Sequence, residues 1–121
     1  MLTAIINARC SSSRLPLKHF YKIGEQYVIE TILDTLLKNK NIKEIFIASG
    51  PIQQNILLKK RLSKFKKYKN IKFYFHKNEN NVTERVFYLL KKISNPYIVL
   101  ISGDCCLIEN EFINRIYDLL K

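Results

Sequence analysis

The sequence predicts an α/β fold, a three-layer α/β/α arrangement around a mostly parallel sheet. Two observations carry this expectation. Four short apolar runs alternate with segments whose apolar residues recur at helical spacing, the pattern of successive βαβ units. The last run, Tyr97-Ile98-Val99-Leu100-Ile101, has no polar alternation, as expected of a central parallel strand buried on both faces. The 121 residues, 47% of them hydrophobic, suffice to bury one core, and the chain is read as a single domain over residues 1–121.

The expected strands are Thr3 to Asn7, Glu44 to Ser49, Ile71 to Phe75 and Tyr97 to Ile101. The first helix follows from Val28, Ile29, Ile32, Leu33, Leu36 and Leu37, which fall on one helical stripe. A second is marked less regularly by Ile56, Leu57 and Leu62, and a third by Val82, Val86, Leu89, Leu90 and Ile93. A fourth carries Phe112, Ile113, Ile116, Tyr117 and Leu120. Gly50-Pro51 and Asn95-Pro96 are turn signals. There is neither an internal repeat nor a low-complexity linker.

Lys and Arg number 21 against 10 Asp and Glu, a net charge of +11. Such a balance favours polyanions: nucleic acid, a phosphate-rich substrate or an acidic membrane surface. It is equally the mark of solvated lysine-rich faces such as Lys38-Asn39-Lys40-Asn41-Ile42-Lys43 and the stretch from Lys59 to Lys69. Three cysteines, Cys10, Cys105 and Cys106, are an odd number with an adjacent pair, a poor basis for a disulfide framework, so a cytoplasmic location is expected. The chain begins without a basic leader, and no apolar run approaches the roughly 20 residues that span a bilayer, so no membrane association is expected.

Ligands of open parallel sheets bind outside the carboxyl ends of the strands. Two unusual segments fall there. Ala8-Arg9-Cys10-Ser11-Ser12-Ser13-Arg14-Leu15-Pro16-Leu17-Lys18 follows the first strand and gathers Arg9, Arg14, Lys18 and three serines. Arg offers a planar fork of donors and Lys a compact charge, while small serines let backbone N–H groups approach phosphate oxygens. The segment reads as a phosphate cradle or as a basic surface loop. Without a glycine it is neither a Walker loop nor a Rossmann fingerprint. Ser102-Gly103-Asp104-Cys105-Cys106-Leu107-Ile108 follows the fourth strand. Asp104 there is suited to a Mg site built from one or two carboxylates and substrate phosphates, or alternatively to capping the helix that begins near Glu109.

Together these segments resemble the cytidylyltransferases that make CMP-activated sugars: CMP-KDO synthetases, acylneuraminate cytidylyltransferases and related spore-coat polysaccharide proteins. Ala8-Arg9-x-x-Ser12-Ser13-Arg14-Leu15-Pro16-x-Lys18 is similar to their signature, and Gly103-Asp104-x-x-Leu107-Ile108 to their metal-binding segment. Val82-Thr83-Glu84-Arg85 is similar to the Thr-Glu-Arg that opens a helix in the CMP-KDO branch. The resemblance runs from about Ala4 to Leu120. It implies a nucleotidyltransferase fold related to glycosyltransferase-A, and transfer of CMP from CTP to a sugar or sugar acid for surface polysaccharide synthesis. Arg9, Arg14 and Lys18 would hold the CTP phosphates, and Asp104 would hold Mg. Arg14, Lys18 and Asp104 would form the catalytic set. Ala8, Ser12, Ser13 and Arg85 would complete the nucleotide site, with Ala8 toward the base.

The sequence departs from that pattern at Leu17, where relatives commonly have Gly, and at Cys106, where they often have Pro. The resemblance also implies that this chain corresponds to an N-terminal half, the remainder carrying the sugar site, a second metal carboxylate and the usual dimer surface. A half-length sheet with an exposed edge is expected to seek a partner strand, which leaves a homodimer open. Two further readings stand beside the enzyme: a non-catalytic module that binds CTP or CMP, and a basic nucleic-acid-binding domain centred on Lys59 to Lys69. The last leaves Asp104 and the Arg9-to-Lys18 segment without a role, so no specific nucleic acid is expected as a partner.

Overall fold

The computed structural model of the chain describes residues 1–10 and 18–121. Four parallel strands, β1 (Leu2–Asn7), β4 (Ile42–Ser49), β5 (Lys72–Phe75) and β6 (Tyr97–Ser102), form a sheet in the order β5-β4-β1-β6. Four helices connect or follow them: α1 (Val28–Leu37), α2 (Ile52–Leu62), α3 (Val82–Leu90) and α4 (Asn110–Leu120). Parallel neighbours require long crossovers, and the helices supply them.

Side chains of a strand alternate between faces, so each strand feeds two layers. Ala4 and Ile6 of β1, Ile45 and Ile47 of β4 and Ile101 of β6 join one cluster with Ile29, Ile32, Leu33 and Leu36 of α1, Leu58 and Leu62 of α2, and Ile113 and Tyr117 of α4. Ile5 and Ala48 point the other way and meet Leu89 of α3. The three-layer arrangement expected from the sequence is therefore present, with one face covered much more heavily than the other.

The strand buried on both faces is β1, not β6. Leu2, Ala4, Ile5 and Ile6 are at most 3% exposed, whereas Leu100 of β6 is 57% exposed. Among the described residues β6 pairs with β1 alone, so it ends the sheet. The apolar composition of β6 thus does not signal a central position here. Strand β4 begins at Ile42, two residues earlier than expected, because Leu2 and Thr3 pair with Ile42 and Glu44. Helix α3 stops at Leu90, short of Ile93.

Two features were not anticipated. A two-stranded hairpin, β2 (Lys22–Ile23) and β3 (Gln26–Tyr27), precedes α1, and Gly24 in its turn has a φ of 65°, a left-handed conformation that glycine adopts without strain. The Asn-rich turn before β4 docks α4: Asn39 Nδ2 donates to Asn110 Oδ1 at 3.0 Å, Asn41 Nδ2 to Asn114 Oδ1 at 2.9 Å, and Asn110 Nδ2 to the Thr35 carbonyl at 2.8 Å. Part of the stretch read as a solvated face is an interhelical polar seam.

Asp34 on α1 accepts hydrogen bonds from Tyr68 at 2.7 Å, Lys67 at 3.0 Å and Gln26 at 2.6 Å. Partial burial pushes its carboxyl up, but the three donors together outweigh that and hold it below the ordinary aspartate value. A depressed native value means that the stabilisation is complete above the usual aspartate range and is lost as pH falls through the native value. Urea titrations between pH 7 and about pH 3 should show Asp34→Asn losing less stability on acidification than the wild type. Leu33→Ala, at a fully buried position, should cost about 2–5 kcal/mol in the same assay.

Candidate functional site

The strand registers bring the carboxyl ends of the sheet level. Asn7 of β1 lies opposite both Ala48 of β4 and Ser102 of β6, and Ser49 lies opposite Phe75. The segments after β1 and β6 therefore leave the same end of the sheet side by side.

After β1, three successive backbone amides turn inward. Ala8 donates to the Ala48 carbonyl at 3.1 Å, Arg9 to His19 Nε2 at 3.3 Å, and Cys10 to Asn55 Oδ1 at 2.8 Å. These amides are committed to the protein, so any phosphate contact from Ala8 to Cys10 comes from a side chain. Burial pushes the Cys10 thiol up, which suits a structural rather than a nucleophilic cysteine. Ser12, Ser13 and Arg14 lie outside the described residues. Lys18–Phe20 form a 3-10 turn.

After β6, the Gly103 amide donates to the Asn7 carbonyl at 2.8 Å and its carbonyl accepts from His19 Nδ1 at 2.9 Å. A Cβ at position 103 would lie 2.7 Å from the Asn7 carbonyl oxygen, 2.7 Å from His19 Cε1 and 3.0 Å from the Ala8 Cβ, so this approach requires glycine. Asp104 follows, more than half exposed. Its carboxylate accepts from Ser102 Oγ at 2.5 Å and from Lys18 Nζ at 3.3 Å, and these two bonds hold it below the usual carboxylate range. It does not cap α4, whose preceding residue is Glu109.

The third contribution comes from the loop between β5 and α3. Asn81 caps α3, its Oδ1 accepting from the Glu84 amide at 2.9 Å. This fixes Arg85 one turn in, 1% exposed, with Nη2 donating to the Glu79 carbonyl at 2.8 Å and Nε without a partner among the described residues. Burial lowers its pKa, with the Glu79 charge acting in the opposite direction. Arg9 Nη1 donates to Asn80 at 2.8 Å and lies 3.9 Å from Glu79. The Glu79 carboxylate accepts from Asn55 and packs over Gly50, where a Cβ would stand 1.9 Å from its Oε2. A side chain at position 50 would therefore displace the Glu79 carboxylate from this contact.

Ala8, Arg9, Lys18 and Arg85 line one cavity of about 310 Å³, together with His19 and Ser102. Asp104 reaches its rim through Lys18 and Ser102. Asn7 also lines the cavity, and its Oδ1 is a buried acceptor without a partner among the described residues. The sequence reading missed His19, Asn55, Glu79 and Asn80. Only Asn55 left a signal: it sits in register with Leu58 and Leu62 on the buried stripe of α2, a polar residue at an apolar position.

The cytidylyltransferase family profile matches residues 3–121. The chain belongs to the cytidylyltransferase family. A CMP:2-keto-3-deoxy-manno-octonic acid synthetase solved in complex with CTP superposes with a TM-score of 0.79 at 19% identity, over 97% of this chain and 46% of its own. A cytidylyltransferase of Leptospira borgpetersenii gives a TM-score of 0.83 at 21% identity, over 98% and 48%. An uncharacterised protein of Methanocaldococcus jannaschii is 28% identical over 114 residues, 94% of this chain and 45% of its own length. The two solved structures have the nucleotidyltransferase fold in common with this chain, which spans about half the length of all three relatives. Among the described residues no helix is long and apolar enough to cross a membrane.

Gly103→Ala should fold with reduced stability, about 1–3 kcal/mol, since the added methyl meets backbone on one side and the His19 ring on the other. Thermal melts together with amide spectra should show the disturbance at Ala8, His19 and Asp104.

Proposed function

We propose that this chain forms the nucleotide-binding part of a Mg-dependent cytidylyltransferase that transfers CMP from CTP to a hydroxyl of a sugar or sugar acid for surface polysaccharide synthesis. The observation that carries the proposal is the cavity's charge. Arg9, Lys18 and the buried Arg85 line it, and the Arg85 Nε has no partner among the described residues. A buried guanidinium with an idle donor is costly unless an anion completes it, and a triphosphate is an anion of the right chemistry.

In the proposed reaction an acceptor hydroxyl oxygen attacks the α-phosphorus in line. The new O–P bond forms as the bridging bond to the β-phosphate breaks, pyrophosphate leaves with the electron pair, and the hydroxyl proton passes to solvent. Such a step asks the protein for positioning and charge neutralisation more than for covalent help. Arg9 and Lys18 would neutralise the phosphates, joined by Arg14, and Arg85 would fix the nucleotide from below. Ser12, Ser13 and Ala8 complete the proposed site.

The donor set fits Mg. Asp104 is an ionised, accessible carboxylate at a strand end, and no three His, Cys, Asp or Glu side chains cluster among the described residues. That suits an ion held by one carboxylate and substrate phosphates rather than by a protein cage. Bound there, Mg would neutralise charge on the phosphate oxygens. Lys18, now on Asp104, would move to the phosphates. Three free cysteines suit a reducing compartment, and we place the reaction in the cytoplasm.

Calorimetry with CTP, ATP, GTP and UTP, each with and without Mg, tests this reading. Preference for CTP in the presence of Mg is expected, weakened about 10- to 100-fold by Asp104→Ala and by Arg14→Ala. A folded chain that binds no nucleotide, or binds all four alike, would overturn it.

A further inference from the structure

We propose that His19 is a positioning residue of the nucleotide site, a neutral Nδ1–H imidazole that ties the segment after β1 to the segment after β6 and thereby sets Lys18 against Asp104. The proposal rests on the functional reading above for its consequence, but not for its geometry.

His19 is 2% exposed and bridges two backbone groups. Its Nδ1 is 2.9 Å from the Gly103 carbonyl, which can only accept, so Nδ1 must carry the proton. Its Nε2 is 3.3 Å from the Arg9 amide, which can only donate, so Nε2 must be bare. The partners alone therefore specify one tautomer and exclude the doubly protonated ring. Burial favours the same neutral form. The ring also packs directly on Gly103, where a Cβ would lie 2.7 Å from Cε1.

This bridge spans the two segments that supply the site's opposite charges. Arg9 begins the cationic segment, and Gly103 precedes Asp104. Lys18 is the neighbour of His19 in a three-residue turn, so pinning the ring fixes the base of the Lys18 side chain, whose Nζ reaches Asp104 at 3.3 Å. Asn55 holds the next amide, Cys10, and its Nδ2 donates to Pro51 and Glu79. Among the described residues His19 thus joins the two segments through backbone groups on both sides, beside the exposed Lys18–Asp104 pair that it positions.

Two measurements test this. Long-range 1H–15N spectra of the nucleotide-free chain should show the neutral Nδ1–H tautomer, and in His19→Ala the Arg9 amide should lose hydrogen-exchange protection while the Cys10 amide keeps it. An Nε2–H or charged ring, or unchanged Arg9 protection, would overturn the bridge whether or not the chain binds CTP. For the consequence, a double-mutant cycle on CTP affinity is decisive. His19→Ala and Lys18→Ala should each weaken binding about tenfold, and the double variant should bind within about twofold of Lys18→Ala. His19→Asn, which can still donate to Gly103, should recover part of the loss. Losses that multiply in the double variant, or His19→Ala binding like the wild type, would refute positioning through Lys18. Absence of CTP binding by the wild type would sink the functional reading instead and leave the bridge to be judged by the spectra.

Discussion

Strand β1 is hydrogen-bonded along both edges and packed on both faces, and the remaining elements take their places from it. Its pairing does not stop where the strand ends. The Ala8 amide extends the ladder to Ala48, and the Gly103 amide continues the β6 pairing back to Asn7. Because these bonds lie in a water-poor interior, an unmade one would cost about 1–3 kcal/mol, so the backbone entering the site has little freedom. The segments to which we assign the chemistry are thus rooted in the most constrained part of the sheet.

That rooting divides labour between backbone and side chains. With the amides of Ala8, Arg9 and Cys10 turned inward, the cavity at this point is lined by side-chain donors, and the site's polarity depends on how these are held. They are held very differently. Lys18 and Asp104 form an exposed pair, 34% and 55% accessible, of a kind worth about 1 kcal/mol or less. An arriving polyphosphate can exchange such partners at small cost. Arg85 is locked by burial, the Asn81 cap and the Glu79 carbonyl, and offers its charge from a fixed point. A site with one fixed cation and one exchangeable ion pair can be stable when empty and still yield to a charged ligand.

The fold was legible in the sequence because its period signals are long: four strands and four helices emerge from apolar spacing alone. The position of β6 was not legible, since an apolar run records composition and not the number of neighbours. The hairpin from Lys22 to Tyr27 is too short for any periodicity. Of the site, Arg9, Lys18, Arg85, Ala8 and Asp104 were readable from residue type and motif, and the structure gathers the first four at one cavity with Asp104 at its rim. His19, Glu79 and Asn80 were not readable, because their role lies in contacts distant in sequence, such as Arg9 with Asn80 across 71 positions and His19 with Gly103 across 84. A single histidine beside a lysine carries no pattern. Its meaning comes from the two backbone groups that the fold places on either side of the ring.

Net charge is the least specific of the sequence signals, and the structure explains why. Much of the basic surface is engaged locally: Lys67 bonds Asp34, Arg61 stacks 4.4 Å over Phe20, and Lys91 lies over Phe87 and Tyr88. These side chains set their charged heads over aromatic rings or against a carboxylate. Their summed field still draws anions of every kind toward the molecule, raising encounter rates without choosing among ligands. In the proposed site, choice would come from cations whose positions do not adapt. Arg85 is such a cation, and the Arg9 backbone, pinned through His19, gives the neighbouring segment a similar fixity. The excess of lysines and the proposed site are therefore separate properties of the chain, the first acting over the Debye length of about 8 Å in physiological salt and the second over hydrogen-bond distances.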